Sequence, residues 1–218
     1  MKCIVTAGPT YEELDGVRRL TNFSTGALGS GLADYLAGQG HEVELLTGYY
    51  TICPPATGPH RRQTFTTTAD LQSRLAALAS PEIGAVFHAA AVSDFTFGKI
   101  WERGGDGELR EVNAAKIPTR DSALLAELVP TAKIIRHLRG WFPRALLAGW
   151  KYELDGDRAQ TIAKGVRQIS DNQSDICIVN GHAYGDGFGL IDRVGSNIHL
   201  PDKLALFAAL AGAVRERC

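Results

Sequence analysis

Apolar residues follow two rhythms along the chain. Short unbroken apolar runs bounded by glycine or charge predict buried strands, and apolar positions three and four apart predict helices. "KCIVTAG" predicts a strand over Cys3 to Ala7. In "GALGSGLADYLAGQG", Leu28, Leu32, Tyr35 and Leu36 share one helical face, and Gly38 to Gly40 stop the helix. "HEVELLTG" predicts the next strand, "ADLQSRLAALA" a helix and "AVFHAAAV" another buried strand. The rhythm fails from Ser93 to Thr119, a polar, glycine-containing stretch too long for an ordinary connection. Segments of that kind are functional flaps, partner-contacting arms or linkers. Beyond it, "ALLAEL" predicts a strand, "PTAKIIRHLRGWF" a helix with Pro130 in its first turn, and "RALLAGWKY" a strand. "DRAQTIAKGVRQISDN" predicts an amphipathic helix and "DICIVNG" a buried strand. "GFGLIDRVGSNIHL" predicts a hairpin and "PDKLALFAALAGAVRERC" a closing helix, with Pro201 near its start.

Strands alternating with helices predict an α/β fold, a Rossmann-like, doubly wound and mostly parallel sheet. One domain over residues 1–218 is expected, with the segment at about 93–119 inserted as a flap or dimerisation arm. Composition changes this picture little. Hydrophobic residues make up 44% of the chain, ample for a core, and the net charge of -1 gives no general attraction to nucleic acid or anionic membrane. Any phosphate binding must therefore be local. Cys3, Cys53, Cys177 and Cys218 lie far apart without a CxxC pair, so thiols are expected rather than a disulfide framework or zinc knuckle. "MKCIVTAG" has no signal-peptide character, and no apolar run has membrane-spanning length, so a cytoplasmic protein is expected.

The first candidate for chemistry is Thr25-Gly26-x-x-Gly29-x-Gly31. Unpaired N–H groups at a helix start, together with the helix dipole, form an anion site, and glycine lets backbone approach phosphate. Asn22, Ser24 and Thr25 add side-chain donors. Close packing of the helix on the sheet is the competing use of such glycines. A Rossmann-like NAD(P)-dependent oxidoreductase is the rival enzyme. Against it, the second strand ends in Thr47 and Gly48 rather than the acidic residue that holds a ribose. Neither Tyr-x-x-x-Lys nor GxxxxGK[ST] occurs. A phosphate-metabolite binding protein without chemistry is the third reading.

In "FHAAAVSDF", Ala89, Ala90 and Ala91 end a strand at the carboxyl edge of the sheet, where open α/β folds bind ligands. Their small side chains leave room for a flat base, or for a packed helix. Asp94 suits a magnesium ion, a ribose hydroxyl or a helix cap. Lys116, in "NAAKIPT", suits a phosphate or a developing charge, with Lys99 as its competitor and a solvated surface lysine as the plain alternative. Trp150 and Lys151 suit a base and a phosphate, or a core tryptophan beside an edge charge. Asn180 either reads a polar group or opens an Asn-Gly turn. His88 reads as a core histidine. Without a metal-spaced His cluster or a Gly-x-Ser-x-Gly elbow, hydrolase chemistry is disfavoured.

Taken in order, these pieces resemble the phosphopantothenoylcysteine synthetase (phosphopantothenate–cysteine ligase) family. "TAGPTYEELDGVRRLTNFSTGALG" is similar to its opening strand, loop and Asn-x-Ser-Ser/Thr-Gly segment. "AAAVSDF", "AKIPT", "LAGWKYELD" and "DICIVNG" are similar to its later motifs, and the likeness runs from Lys2 to about Leu210. The resemblance implies a stand-alone, homodimeric ligase of coenzyme A synthesis that joins 4'-phosphopantothenate to cysteine through an acyl nucleotide made from CTP or ATP, with magnesium. It implies catalytic roles for Asn22 and Lys116, favoured over Lys99 by its context. It implies nucleotide contacts at Gly8, Ser24, Thr25, Gly26, Ala89, Ala90, Ala91, Asp94, Phe95, Trp150 and Lys151, the metal at Asp94, and substrate contacts at Asn22 and Asn180. Gly8-Pro9 replaces the family's Gly-Gly, Ala27 stands where lysine is common, and Trp150 stands where phenylalanine is common. These departures bear on nucleotide preference more than on reaction type.

Overall fold

The structure, a computed structural model, describes residues 1–53, 57–118 and 122–217. Thr119 and Cys218, which figure in the readings above, lie outside the described residues. From the N-terminus the elements are β1 (Lys2–Ala7), β2 (Tyr11–Glu13), β3 (Arg19–Thr21), α1 (Ala27–Gly38), β4 (Glu42–Gly48), β5 (Arg61–Phe65), α2 (Thr68–Ala77) and β6 (Ile83–His88). There follow β7 (Phe95–Arg103), β8 (Leu109–Glu111), β9 (Ala123–Pro130), α3 (Ile135–Trp141) and β10 (Leu146–Tyr152). The chain closes with α4 (Arg158–Asn172), β11 (Ile176–Asn180), β12 (Phe188–Asp192), β13 (Asn197–Leu200) and α5 (Lys203–Arg215).

Eight strands form one sheet in the order β13-β12-β11-β10-β6-β1-β4-β5. Six run parallel, and β12 and β13 add an antiparallel hairpin at one edge. The period of two in a strand sends alternate residues to opposite faces. Cys3, Val5, Val43, Leu45, Ala85 and Phe87 therefore pack under α1 and α5, against Leu32, Leu36, Phe207 and Leu210. Ile4, Leu46, Val86 and Leu147 face the other way, against Leu71 and Leu75 of α2 and Leu138 of α3. α4 covers Cys177, Val179 and Ile191 through Ile169. With both faces covered, the strands read as continuous apolar runs, which is why their sequence signal is plain.

The chain winds outward from β1 in two directions, through β4 and β5 on one side and through β6, β10 and β11 on the other. The reversal leaves a crevice at the carboxyl ends of β1 and β6, the position where open α/β sheets take their ligands.

Four features differ from the sequence expectation. Arg61–Phe65 is an edge strand, mostly exposed apart from Phe65, so no buried run announces it. Tyr11–Glu13 and Arg19–Thr21 pair as a hairpin where a loop was expected. Pro130 ends β9 and does not open α3, which begins at Ile135. The segment taken as irregular from Ser93 carries β7 and β8, and these join β9 in a separate antiparallel sheet, β8-β7-β9. This arm leaves and returns at one point, closed by the Phe95–Pro130 pairing and by Thr131 N–H donating to Asp94 O at 3.0 Å. Phe95 and Leu109 are exposed, so period-two burial is lost in β7 and β8 and these two strands escape detection, while β9 is the strand expected at "ALLAEL".

Candidate active site

Three stretches of chain meet at the crevice. Gly8 and Pro9 follow β1, and Ala89 to Val92 follow β6. They are stitched together by a parallel bridge between Pro9 and Ala91, with Ala91 N–H donating to Gly8 O at 3.0 Å and Thr10 N–H to Ala91 O at 3.2 Å. The third stretch, Asn22 to Gly26, runs from the β2–β3 hairpin into α1. Asn22 Nδ2 donates to both Ala91 O and Val92 O, each at 3.2 Å. That pair of bonds orients the exposed Asn22 side chain against the end of β6.

The helix start differs from its neighbours. α2, α4 and α5 begin on Thr67, Asp157 and Asp202, whose side chains accept from their own first turns. α1 begins on Gly26, in the left-handed region at φ 76°, with no side-chain cap and no acidic residue in its first turn. Ala27 N–H donates to Thr25 Oγ1 at 3.3 Å, and the positive dipole end of α1 lies at the crevice. Thr25 O accepts from Ile52 and Cys53 N–H, both at 3.2 Å, which ties the turn to the loop after β4. Thr51 sits beneath it. A Cβ on Gly8 or Gly26 would lie 2.1 Å or 2.6 Å from the Thr51 side chain, so glycine is required at both positions. The Thr51 Oγ1 is buried without a partner.

Two of the glycines serve packing instead. A Cβ on Gly29 would meet Ala7 Cβ at 2.7 Å and Thr6 O at 2.8 Å, and one on Gly31 would meet the Phe207 ring at 3.1 Å. Gly29 therefore lets α1 lie directly on β1. We expect Gly29→Ala to lower stability by about 1–3 kcal/mol through overpacking against backbone. Thermal unfolding checks this, and an unchanged melting temperature would show that α1 has room to spare.

The alanines are half-buried, and Ala90 N–H donates to Thr6 Oγ1 at 3.0 Å. Thr6 Oγ1 also lies 3.0 Å from His88 Nδ1. Thr6 Oγ1 therefore joins the Ala90 amide to the His88 ring. Burial pushes His88 down to about 4, so it is a neutral core histidine that braces the alanine turn. Gly48 closes the site on the β4 side. Its Cβ would fall 2.2 Å from Pro9 O, so no acidic side chain fits where a dinucleotide ribose needs one.

Other candidates lie around this centre. Asp94 is exposed and ion-paired with Lys133. Phe95 is 45% exposed at the base of the arm. Trp150 packs against the α1–α5 core, its indole N–H buried without a partner. Lys151 pairs with Glu153 at 3.3 Å, and Lys164 pairs with the same carboxylate. Burial works to raise Glu153, but these lysines outweigh it and hold the carboxyl below its ordinary value. Asn180 opens a turn: its carbonyl accepts from Glu153 N–H at 2.9 Å, and Gly181 follows at φ 111° against the Glu153 backbone. Lys99 is exposed on β7 and pairs with Glu111 at 3.1 Å. Among the described residues, no three His, Cys, Asp or Glu side chains converge on a metal position.

Lys116 is held at the tip of the β2–β3 hairpin, away from Asn22 at its base. The holding residue is Asp15, which the sequence reading passed over. Its side chain is 1% exposed and accepts from Val17 N–H at 2.9 Å, Arg18 N–H at 2.8 Å and Ile117 N–H at 3.1 Å. Arg18 pairs with it at 2.7 Å and also donates to Ile117 O, while Gly16 N–H donates to Ala115 O at 2.8 Å. The long loop ahead of α1 is therefore a hairpin that clamps the Ala115–Ile117 segment. Burial opposes ionisation of Asp15, but the backbone donors and Arg18 outweigh it and lower its carboxyl from 3.8 to about 2. A carboxyl lowered on folding stabilises above its unfolded value and loses that contribution as pH falls. The clamp should thus be complete at neutral pH and open as pH falls from 3.8 through about 2. Asp15→Asn should accelerate hydrogen exchange at Ile117 N–H at neutral pH, and unchanged protection there would remove the clamp from the account.

Residues 1–194 match the family described as "DNA/pantothenate metabolism flavoprotein C-terminal domain". The chain belongs to this family. Among curated members, it is 29% identical over 180 residues to the coenzyme A biosynthesis bifunctional protein CoaBC of Thermococcus kodakarensis, covering 82% of this chain and 41% of that one. The Bacillus subtilis CoaBC is 28% identical over 188 residues, covering 85% and 42%. The chain thus spans about two fifths of the length of these relatives. The crystal structure of the DNA/pantothenate metabolism flavoprotein from Streptococcus pneumoniae superimposes with a TM-score of 0.87 at 26% identity, covering 100% of both chains. The fold is shared with a Cab2 mutant in complex with phosphopantothenate-cysteine, at a TM-score of 0.70 and 18% identity, covering 99% of this chain and 87% of that one. The mostly parallel sheet and the separate small antiparallel sheet match the fold of the Streptococcus pneumoniae structure. No described helix is long and apolar enough to cross a membrane.

Proposed function

We propose that the chain is a phosphopantothenate–cysteine ligase, one synthetase domain that makes its amide through an acyl nucleotide. The observation that carries this reading is the crevice, where Asn22 is bonded to the carbonyls of Ala91 and Val92 and leads four residues later into the start of α1. Family membership supports it, as does coenzyme A biosynthesis in the names of the curated relatives.

In this mechanism the carboxylate of 4'-phosphopantothenate attacks the α-phosphate of CTP or ATP, and pyrophosphate leaves. The amine of cysteine then attacks the acyl carbon and expels the nucleoside monophosphate. Both steps depend on placement and on stabilising charge at phosphate oxygens. The amides of Gly26 and the first turn of α1, with the Ser24 and Thr25 hydroxyls, would bind the phosphates. Gly8, Ala89, Ala90 and Ala91 would leave space for the base, bounded by Phe95 and Trp150. Asn22 commits its NH2 to two carbonyls, which leaves Oδ1 to accept from the attacking amine. Lys116 would neutralise developing charge once its segment moves from the hairpin tip, Lys151 would meet a nucleotide phosphate, and Asn180 would meet phosphopantothenate.

Magnesium fits as an ion carried by the triphosphate, because Mg²⁺ keeps most of its water and needs only one or two carboxylates. Asp94 is the carboxylate that would face it, and the ion would neutralise phosphate charge. The exposed apolar residues of the β8-β7-β9 arm support a homodimer built through that sheet.

The test supplies phosphopantothenate, cysteine, magnesium and either CTP or ATP, and follows pyrophosphate. Pyrophosphate release that requires phosphopantothenate supports the ligase. No release with either nucleotide, together with NAD(H) binding, would replace it with an oxidoreductase.

A further inference from the structure

At the sheet edge opposite the crevice, the C-terminal ends of α3, α4 and α5 meet around a cavity of about 770 Å³. Its polar wall holds Arg139, Arg144, Arg193 and Arg217 against only Asp175 and Asp192. Asp175 is 6% exposed and binds Leu147 N–H at 2.7 Å, Arg139 at 2.8 Å, Arg217 at 2.9 Å and Arg193 at 3.1 Å. Burial works to raise its carboxyl, but the Leu147 N–H, Arg139 and Arg217 outweigh it, and it stays ionised.

Part of this charge is spent inside the protein. Arg139 donates to the carbonyls of Gln173 and Phe142, which cap α4 and α3, and to those of Pro143 and Ala145 in the loop before β10. Those helix ends disfavour an anion, and Arg139 and Arg193 cap the carbonyls that would repel it. Asp192 is committed to its own turn through Val194 and Ser196 N–H. Three cationic groups still face the cavity. Arg144 has no side-chain partner among the described residues, and Arg193 and Arg217 keep 54% and 39% of their side chains exposed. Ser174 stands in the same wall, 2% exposed, with its Oγ buried and unpartnered. A buried hydroxyl left so is destabilising, and an incoming acceptor would satisfy it. The facing wall is apolar, made by Pro143, Val166 and Ile169.

We infer that this cavity binds a small phosphomonoester, with its phosphate among Arg144, Arg193, Arg217 and Ser174 and its organic part on Val166 and Ile169. Guanidinium forks match phosphate oxygens two at a time, and this is the chemistry that surplus arginines around one carboxylate provide. An internal ion network ties Arg139, and one edge of Arg193 and of Arg217, to Asp175, but it accounts neither for Arg144 and the exposed parts of Arg193 and Arg217 nor for Ser174. The inference does not rest on the ligase reading, since no residue of the crevice takes part.

The experiment follows arginine Nε–Hε resonances by NMR while inorganic phosphate, and separately butyl phosphate, is added to the whole chain. The expected result is saturable shifts of Arg193 and Arg217 with both probes, tighter with butyl phosphate. Arg193→Gln with Arg217→Gln should weaken both by about tenfold or more. Ser174→Ala, which leaves every ion pair intact, should weaken them by about threefold. Phosphate binding equal to that of butyl phosphate would assign the site to the free ion and overturn the ester. Arginine signals that stay still at millimolar probe, or equal affinity in the double variant, would overturn the site. The backbone amides of Ala27 to Gly29 are read in the same spectra, so phosphate uptake at α1 is scored separately.

Discussion

Asn22→Ala is expected to stop amide formation while leaving pyrophosphate release measurable. The side chain touches the crevice from one side only, through two bonds to the end of β6. In the proposed mechanism, attack on the α-phosphate depends on the amides of α1, which the substitution leaves in place. Attack of the amine on the acyl carbon depends on a polar group oriented at that carbon. Losing one preorganised partner of that kind costs about a hundredfold in rate. Rapid-quench analysis should therefore show acyl nucleotide accumulating in the variant. Normal amide output would take Asn22 out of the second step.

Lys116→Gln is expected to cost about 3 kcal/mol of barrier, read as kcat/KM for pyrophosphate release. The lysine carries the one positive charge on the segment clamped by Asp15, and its loss leaves phosphate charge uncompensated as pyrophosphate departs. Lys99→Gln supplies the comparison. Lys99 spends its charge on Glu111 in the exposed arm, so that variant should retain its rate. An unaffected Lys116 variant beside an impaired Lys99 variant would reverse the assignment. Because Lys116 begins at the hairpin tip, Asp15→Asn should also change the rate of the step that needs the segment to move.

What the sequence made legible follows from burial. β1, β4, β6, β10 and β11 lie under helices on both faces, so each reads as an apolar run, and α1 shows its stripe at Leu28, Leu32 and Leu36. The hairpin β12–β13 was legible from its turn at Gly195, which takes φ 81°. β7 and β8 were not, because Phe95 and Leu109 point into solvent and leave no alternation to find, whereas the arm's third strand, β9, was legible in "ALLAEL". β5 was missed for the same reason, as an edge strand with Arg61 and Arg62 exposed. Within the site, the ordered motifs singled out Asn22, Gly26 and Ala89–Ala91, which the fold brings to one edge of the sheet. They also overstated the glycines, since Gly29 and Gly31 answer to Ala7 and Phe207 rather than to a phosphate. Asp15 and Thr51 carried no local signal. Asp15 acts on Ile117, which is 102 positions away, and Thr51 acts on Gly8 and Gly26 across a loop. Partners so distant in the chain become visible only when the sheet brings them together.

The most direct test labels the carboxylate of phosphopantothenate with ¹⁸O and follows it through one turnover with cysteine and CTP or ATP. If an acid is activated at the α-phosphate in this crevice, one labelled oxygen ends in the nucleoside monophosphate and none in pyrophosphate. Label in pyrophosphate or inorganic phosphate, or its full retention in the product, would contradict the account.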